Sequence, residues 1–210
     1  MHRTDAADPF HWYYTWGASS FFWHRLDMAI GMFRSSAYTR MLDIGVGCGI
    51  FLPELAQHCA ELHGLDIHPN LHLVADMLQK EEIRATLTKG SITDLPYPDK
   101  HFDAIVCMSV LEHLYEHDID KAIREIRRVA TDDASIFLGF PVENPISRTM
   151  LHIAYIWLPG AKLNDEHVST HKDILHTVPR HLDIVQSQHF PGVVPLDWSL
   201  YYACHCRLKS

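Results

Sequence analysis

The sequence lacks an excess of basic residues, and this absence bears first on its partners. Lysine and arginine number 18 against 26 aspartates and glutamates, so the formal net charge is -8 at pH 7. Proteins that bind nucleic acid normally carry a basic footprint on one face. Arg124, Arg127 and Arg128 lie opposite an apolar helix face and are predicted to be a solvated surface. We therefore expect no nucleic-acid partner.

Long apolar runs are also lacking, as is the start of a secretion signal. No run approaches the roughly 20 residues that a membrane-spanning helix needs, and the first residues show no basic start followed by an apolar core. Five cysteines make an odd number, which fits reduced thiols better than a disulfide framework. We expect a cytoplasmic protein whose 210 residues form a single domain (1–210).

Histidine is plentiful, with 17 residues, but we expect no metal. His113 with His117, and His167 with His171, have the i, i+4 spacing that can place two ligands on one helix face. A metal centre would need further ligands and groups that orient them. Neither pair by itself therefore predicts one.

A glycine-rich stretch between an apolar run and a helical pattern is the most informative part of the chain. The segment 41–44 predicts a buried strand, and Gly45, Gly47 and Gly49 follow it directly. Glycine permits sharp turns and a close approach to a ligand, so the pattern predicts a loop that binds a nucleotide-type cofactor. Ile50 stands where a dinucleotide fingerprint has its last glycine, and the loop has no lysine for phosphate.

Acidic residues occupy the ends of two successive predicted strands. Asp43 stands just before the glycines, and Asp66 ends the next strand about twenty residues on, where such folds place a ribose-binding carboxylate. Ile67 beside it is placed to pack on an adenine ring. The alternative, that Asp66 caps a helix over 70–80, stays open from the sequence.

The stretch Leu42-Asp-Ile-Gly-Val-Gly-Cys-Gly49 resembles motif I of class I S-adenosylmethionine (SAM) dependent methyltransferases. A second stretch, Lys89 to Leu114, is similar to the pattern "GD-A-x-x-LP-F-x-D-x-x-FD" followed by "LEH" in the small-molecule branch of that family. The resemblance covers about residues 38–140. It implies SAM as cofactor and an α/β fold with a seven-stranded, mostly parallel, doubly wound (Rossmann-like) sheet and helices on both faces.

The resemblance also implies which residues surround the cofactor. They are Asp43, Gly45, Gly47, Gly49, Asp66, Ile67, Ser91, Ile92 and Ser109. Ser91 and Ile92 stand where the family contacts adenine, but Ser91 replaces the usual aspartate, and nearby Asp94 either substitutes for it or caps a turn. In ubiquinone-biosynthesis O-methyltransferases, which share the "LEH" segment, an acid occupies the position of Ser109, so their metal-assisted chemistry is not implied here.

Two regions outside the resemblance are assigned to the acceptor side. The segment 1–37 is rich in aromatic residues and is predicted to contain a helix over 20–33, which either docks on the sheet or forms an N-terminal helical lid. The segment 141–179 is predicted to be a variable insertion. Its apolar stretch 150–158 is too short to span a bilayer, so it lies on a membrane, walls an apolar pocket or forms a homodimer interface. The scarcity of positive charge nearby opposes the first.

We expect a methyltransferase that acts at O or N of a small or lipid-linked apolar acceptor. The alternative is a SAM-binding module without activity, because the motifs only hold the cofactor. If the acceptor is a hydroxyl, His113 is the first candidate for general base, since it follows the fourth strand at its carboxyl end and an imidazole titrates near neutrality. A structural cap is the other interpretation of His113. His167, predicted to head the helix after the insertion, is the second candidate.

Overall fold

The computed structural model describes residues 19–33, 37–145, 147, 149 and 167–209. Its main helices and strands are, in chain order, α1 (Ser19–Ile30), β1 (Tyr38–Ile44), α2 (Leu52–Leu55), β2 (Cys59–Asp66), α3 (Leu71–Lys80), β3 (Thr86–Lys89), β4 (Phe102–Met108), α4 (Glu116–Val129), β5 (Ala130–Pro141), α5 (His171–His181), β6 (Leu182–Phe190) and β7 (Tyr201–Leu208). Residues 1–18 of the predicted lid and the apolar stretch 150–158 lie outside the described residues.

The strands form one seven-stranded sheet in the order β3-β2-β1-β4-β5-β7-β6. Neighbouring strands from β3 to β5 run parallel, whereas β7 is antiparallel to β5 and to β6. This confirms the predicted mostly parallel, doubly wound sheet. Winding reverses between β1 and β4, and at such a switch point the carboxyl ends of the strands open a crevice for ligands.

The central strands are buried on both faces of the sheet. Along β1, Leu42 and Ile44 belong to one core cluster together with Ile123 of α4. Met41 belongs to the opposite cluster together with Val74 of α3. Strands that are buried on both sides consist of continuous apolar runs without polar alternation. That is why the apolar runs in the sequence predict these strands correctly.

Two element boundaries differ from the predicted ones. α1 ends at Ile30, before the predicted end at residue 33, because a turn follows at Gly31. His167 does not head a helix, since α5 begins at His171, where Thr170 is the N-cap and forms a capping box with Asp173.

All five cysteines are free thiols, as the odd number predicts. Burial holds the pKa of Cys107 well above its usual range, so this thiol stays protonated. Within the ranges given above, no helix has both the length and the apolar character needed to cross a membrane.

Candidate functional site

The glycine loop after β1 has a backbone that other residues cannot easily adopt. Gly45, Gly47 and Gly49 have φ angles of 85°, 52° and 78°, all in the left-handed region. A Cβ at Gly45 would lie 2.2 Å from Cγ2 of Val110, and a Cβ at Gly49 would lie 2.5 Å from Cγ1 of Val74. The loop is therefore packed against the segment that follows β4 and against α3.

Asp66 ties the end of β2 to this loop. One carboxylate oxygen accepts a hydrogen bond from the backbone N–H of Gly47 at 2.8 Å, and the other accepts one from the N–H of His68 at 3.1 Å. Each carboxylate oxygen has a second lone pair, so capacity remains for ribose hydroxyls. The capping alternative is not supported, because the N-cap of α3 is Asn70 and no side chain caps that helix.

Asp43, one residue before the loop's first turn, is a buried acid. Burial raises its pKa from 3.8 to about 7, and the negative charge of Asp66 adds to the increase. A cationic group bound beside Asp43 would favour its charged form. The two acids therefore make this end of the crevice attractive to a positively charged ligand.

The residues predicted to surround adenine differ in exposure. Ile67 presents 70% of its surface beside Asp66 and is available for packing, whereas Ile92 is only 4% exposed and belongs to the core. The Ser91 hydroxyl lies 2.9 Å from that of Thr93, and Asp94 is exposed. A contact from Ile92 to adenine would thus come through its backbone.

A cationic side chain from α1 reaches the end of β4. Arg25 Nη1 donates to Ser109 Oγ at 3.2 Å, and its guanidinium lies 5.5 Å from the centre of the Tyr201 ring. Ser109 has a φ of 58° and also contacts the Tyr201 hydroxyl at 3.0 Å. Sequence reasoning missed Arg25, although its spacing to the buried Met28 and Ala29 places it on the inner face of the helix.

His113 and His167, the two base candidates, lie side by side. Their ring centroids are 5.2 Å apart, and His167 Nδ1 is 2.8 Å from Glu143 Oε1. Two backbone N–H groups next to His167, those of Val168 and Ser169, donate to the Glu112 carbonyl at 3.0 and 3.2 Å. The residues just past His167 are thereby held against the turn that carries His113. No sequence pattern selects Glu143, which follows the end of β5 and belongs to no recognised motif.

Glu112 joins these two histidines in a cluster, and His117 and His171 do not. Glu112, His113 and His167 offer one ligand atom each, all within 4.8 Å of one another, a spacing that could admit a metal ion. His117 instead pairs with Asp118, and His171 pairs with Asp197. The i, i+4 spacing therefore does not describe the arrangement, which brings together histidines from different parts of the chain.

Comparison with known proteins shows which family the central part of the chain resembles. Residues 42–138 match the family model described as a methyltransferase domain. Ajmaline N-methyltransferase of Rauvolfia serpentina is 33% identical over 111 residues, which cover 51% of this chain and 38% of that protein. A ubiquinone biosynthesis O-methyltransferase of Pseudomonas entomophila is 28% identical over 116 residues, covering 53% and 48%. The chain thus spans less than half the length of these relatives.

A solved structure extends the likeness to the whole fold. The N-methyltransferase NodS of Bradyrhizobium japonicum, in complex with S-adenosylhomocysteine, has a TM-score of 0.65 at 18% identity, covering 92% of this chain and 88% of that one. Fold and glycine loop define an α/β protein with a nucleotide-type cofactor site. The matched residues make the comparison more specific: residues 42–138 resemble a methyltransferase domain of the class I type, and the cofactor that these comparisons support is S-adenosyl-L-methionine.

Proposed function

We propose that this protein transfers the methyl group of SAM to a hydroxyl group of a small apolar acceptor. The observation that carries the proposal is the pair of Glu143 and His167, which stands beside His113 near the carboxyl ends of β4 and β5. A histidine held by a carboxylate is suited to accept a proton. Relatives named for N- and O-methylation do not decide the acceptor atom, so the proposal depends on this pair.

The cofactor would lie across the crevice between β1 and β4. The glycine loop permits close approach. We expect Asp66 to bind the ribose, and Ile67 and the backbone of Ser91 and Ile92 to contact the adenine. The amino-acid end of SAM carries an ammonium and a carboxylate. Asp43 would offer the matching negative charge, and Arg25, which donates to Ser109 after β4, would offer the positive one.

Methyl transfer from a sulfonium is an in-line displacement, so positioning and exclusion of water supply most of the catalysis. The acceptor oxygen bonds to the methyl carbon, the sulfur–carbon bond breaks, and its electron pair returns to sulfur. The hydroxyl proton goes to Nε2 of His167, while Nδ1–H stays bonded to Glu143. A neutral amine attacks through its lone pair and loses its proton afterwards, whereas a hydroxyl becomes a strong nucleophile only as its proton leaves. An oriented base therefore favours a hydroxyl over a neutral amine.

An acceptor screen tests the proposal. Purified protein is incubated with SAM and a panel of phenols, alcohols and amines, and mass spectrometry detects products that gain one methyl group. With an acceptor found, His167→Ala should lower kcat by about 100-fold, and Glu143→Gln should lower it less. The exposed His117→Ala is the control and should leave kcat unchanged.

Three results would contradict the proposal. Methylation of amines alone would remove the need for the base. Loss of activity in EDTA that is restored by Mg²⁺ or Zn²⁺ would mean that the histidine cluster holds an ion. A SAM-binding module without activity would give no S-adenosylhomocysteine above background with any acceptor.

The nature of the acceptor's tail is a further part of the proposal. The apolar stretch 150–158 supports a lipid-linked acceptor, peripheral contact with a membrane or a homodimer. Vesicle flotation of the wild type against a Trp157→Ser/Ile156→Ser double variant separates the membrane interpretation from the others. Sedimentation of the same two proteins tests the homodimer.

A further inference from the structure

His68 connects the cofactor loop to the start of α3. Its Nε2 is 2.9 Å from the carbonyl oxygen of Gly47, and the backbone N–H of Asn70 donates to its Nδ1 at 3.0 Å. The side chain is 20% exposed, and Asp66 is the acid beside it, with Oδ2 4.0 Å from Nε2. The ring thus bridges two segments that meet at the cofactor crevice.

The partners fix the tautomer of this ring. A backbone N–H can only donate, so Nδ1 accepts, and a carbonyl can only accept, so Nε2 carries the proton and donates. His68 is therefore neutral in this arrangement. A proton on Nδ1 would face the Asn70 N–H and break the bridge.

Both polar groups of Gly47 are consequently held by the turn that follows β2. The N–H donates to Asp66, and the carbonyl accepts from His68. Gly47 has a left-handed φ of 52° and no side chain, so little else restrains its conformation. The Asp66 carboxylate, which is placed for the ribose, and the loop are held in one geometry by this pair of bonds.

We propose that His68 is a positioning residue for SAM, holding the Gly47 carbonyl so that the loop is ready to receive the cofactor. The inference rests on the cofactor site and not on the acceptor chemistry. If His68 only supported the start of α3, its bond from Asn70 would be the important one and SAM affinity would not depend on the bond to Gly47.

Two substitutions separate these bonds, because Asn places a polar atom near the position of Nδ1 and Gln places one near Nε2. His68→Asn can keep the acceptor for Asn70 but loses the donor to Gly47. His68→Gln can keep the donor to Gly47 but loses the acceptor. His72→Asn changes an exposed histidine of α3 that lies outside the loop contacts, and it is the control.

Calorimetry with S-adenosylhomocysteine measures the effect. We expect His68→Asn to bind about 5-fold more weakly than the wild type, as for one lost neutral hydrogen bond, and His68→Gln to bind within about 2-fold of it. Equal weakening by both variants, or wild-type affinity in His68→Asn, would overturn the proposal. Absence of binding by the wild type would overturn the cofactor assignment and this inference with it.

The protonation of His68 can also be measured on the wild type, so this test does not depend on whether a variant folds. Nitrogen-15 NMR of the histidine side chains distinguishes the Nε2–H tautomer from the Nδ1–H tautomer and from the charged ring. We expect His68 to be in the Nε2–H form at pH 7 with cofactor bound. The Nδ1–H tautomer or a charged ring in the complex would overturn the proposal.

Discussion

Replacing Asp43 with Asn separates the effect of this buried acid on stability from its effect on cofactor binding. Its pKa is raised from 3.8 to about 7 in the folded protein, mainly by burial. Each unit corresponds to 1.36 kcal/mol, so ionising the buried carboxyl costs the folded state about 4 kcal/mol at high pH. The amide of Asn has no such cost.

The raised pKa of Asp43 determines whether the free energy of unfolding rises or falls with pH. Between about pH 4 and 7 the folded protein holds a proton on Asp43 that the unfolded chain has lost, so the free energy of unfolding falls as pH rises through this window. It is flat above the folded pKa. From pH 5 to pH 8 the wild type should therefore lose about 3 kcal/mol relative to Asp43→Asn.

Urea unfolding of both proteins at pH 5 and pH 8 measures this difference. Groups other than Asp43 titrate in both proteins, so their contributions to the pH dependence cancel when the two proteins are compared. The exposed Asp76→Asn is the control and should follow the wild type at both values. A stability difference between wild type and Asp43→Asn that does not change with pH would refute the reasoning.

Cofactor binding should change in the opposite direction. Asp43→Asn removes the proposed contact between this carboxylate and the ammonium of SAM, so we expect weaker binding at pH 8 from a protein that is more stable. Calorimetry with SAM at this pH checks it. Unchanged affinity would assign Asp43 to stability alone.

Further substitutions test the loop and the cation from α1. Gly49→Ala should lower the free energy of unfolding by at least about 1 kcal/mol, because it combines a left-handed φ with a Cβ against Val74. Urea unfolding checks this, and an unchanged midpoint would contradict it. Arg25→Gln should weaken SAM binding by about 10-fold, as for the loss of a charged hydrogen bond, with the exposed Arg124→Gln as control in the same calorimetry. Equal affinity of these two variants would remove Arg25 from the cofactor site.

The cofactor half of the molecule could be predicted from sequence because its requirements are local. A strand buried on both faces needs an unbroken apolar run, and a loop with left-handed angles needs glycine at Gly45, Gly47 and Gly49. The acid at Asp66 stands at a fixed distance along the chain from that loop. These patterns lie within some thirty residues and depend little on the rest of the fold.

The acceptor half could be predicted only in part. His113 and His167 were identifiable singly, but their contact depends on how the segment before α5 packs against the turn after β4. Glu143 carries no spacing signal, since its partner is 24 positions away along the chain. Arg25 and His68 form hydrogen bonds to residues distant in sequence, and no periodic pattern predicts such bonds.

This division has a physical consequence for how acceptor specificity can change. The groups that would meet the acceptor come from separate segments at the carboxyl edge of the sheet: His113 after β4, Glu143 after β5, and His167 before α5. Backbone hydrogen bonds from Val168 and Ser169 to Glu112 fix the segment next to His167, and those bonds do not depend on side-chain identity. The Val168 side chain, which is 40% exposed, can therefore vary without disturbing the core clusters, whereas Val142 nearby in the fold's acceptor half belongs to one of them. The proposed donor site is in contrast held by hydrogen bonds that join Gly47, Asp66 and His68, so we expect a change at Asp66 or His68 to alter the binding of SAM itself.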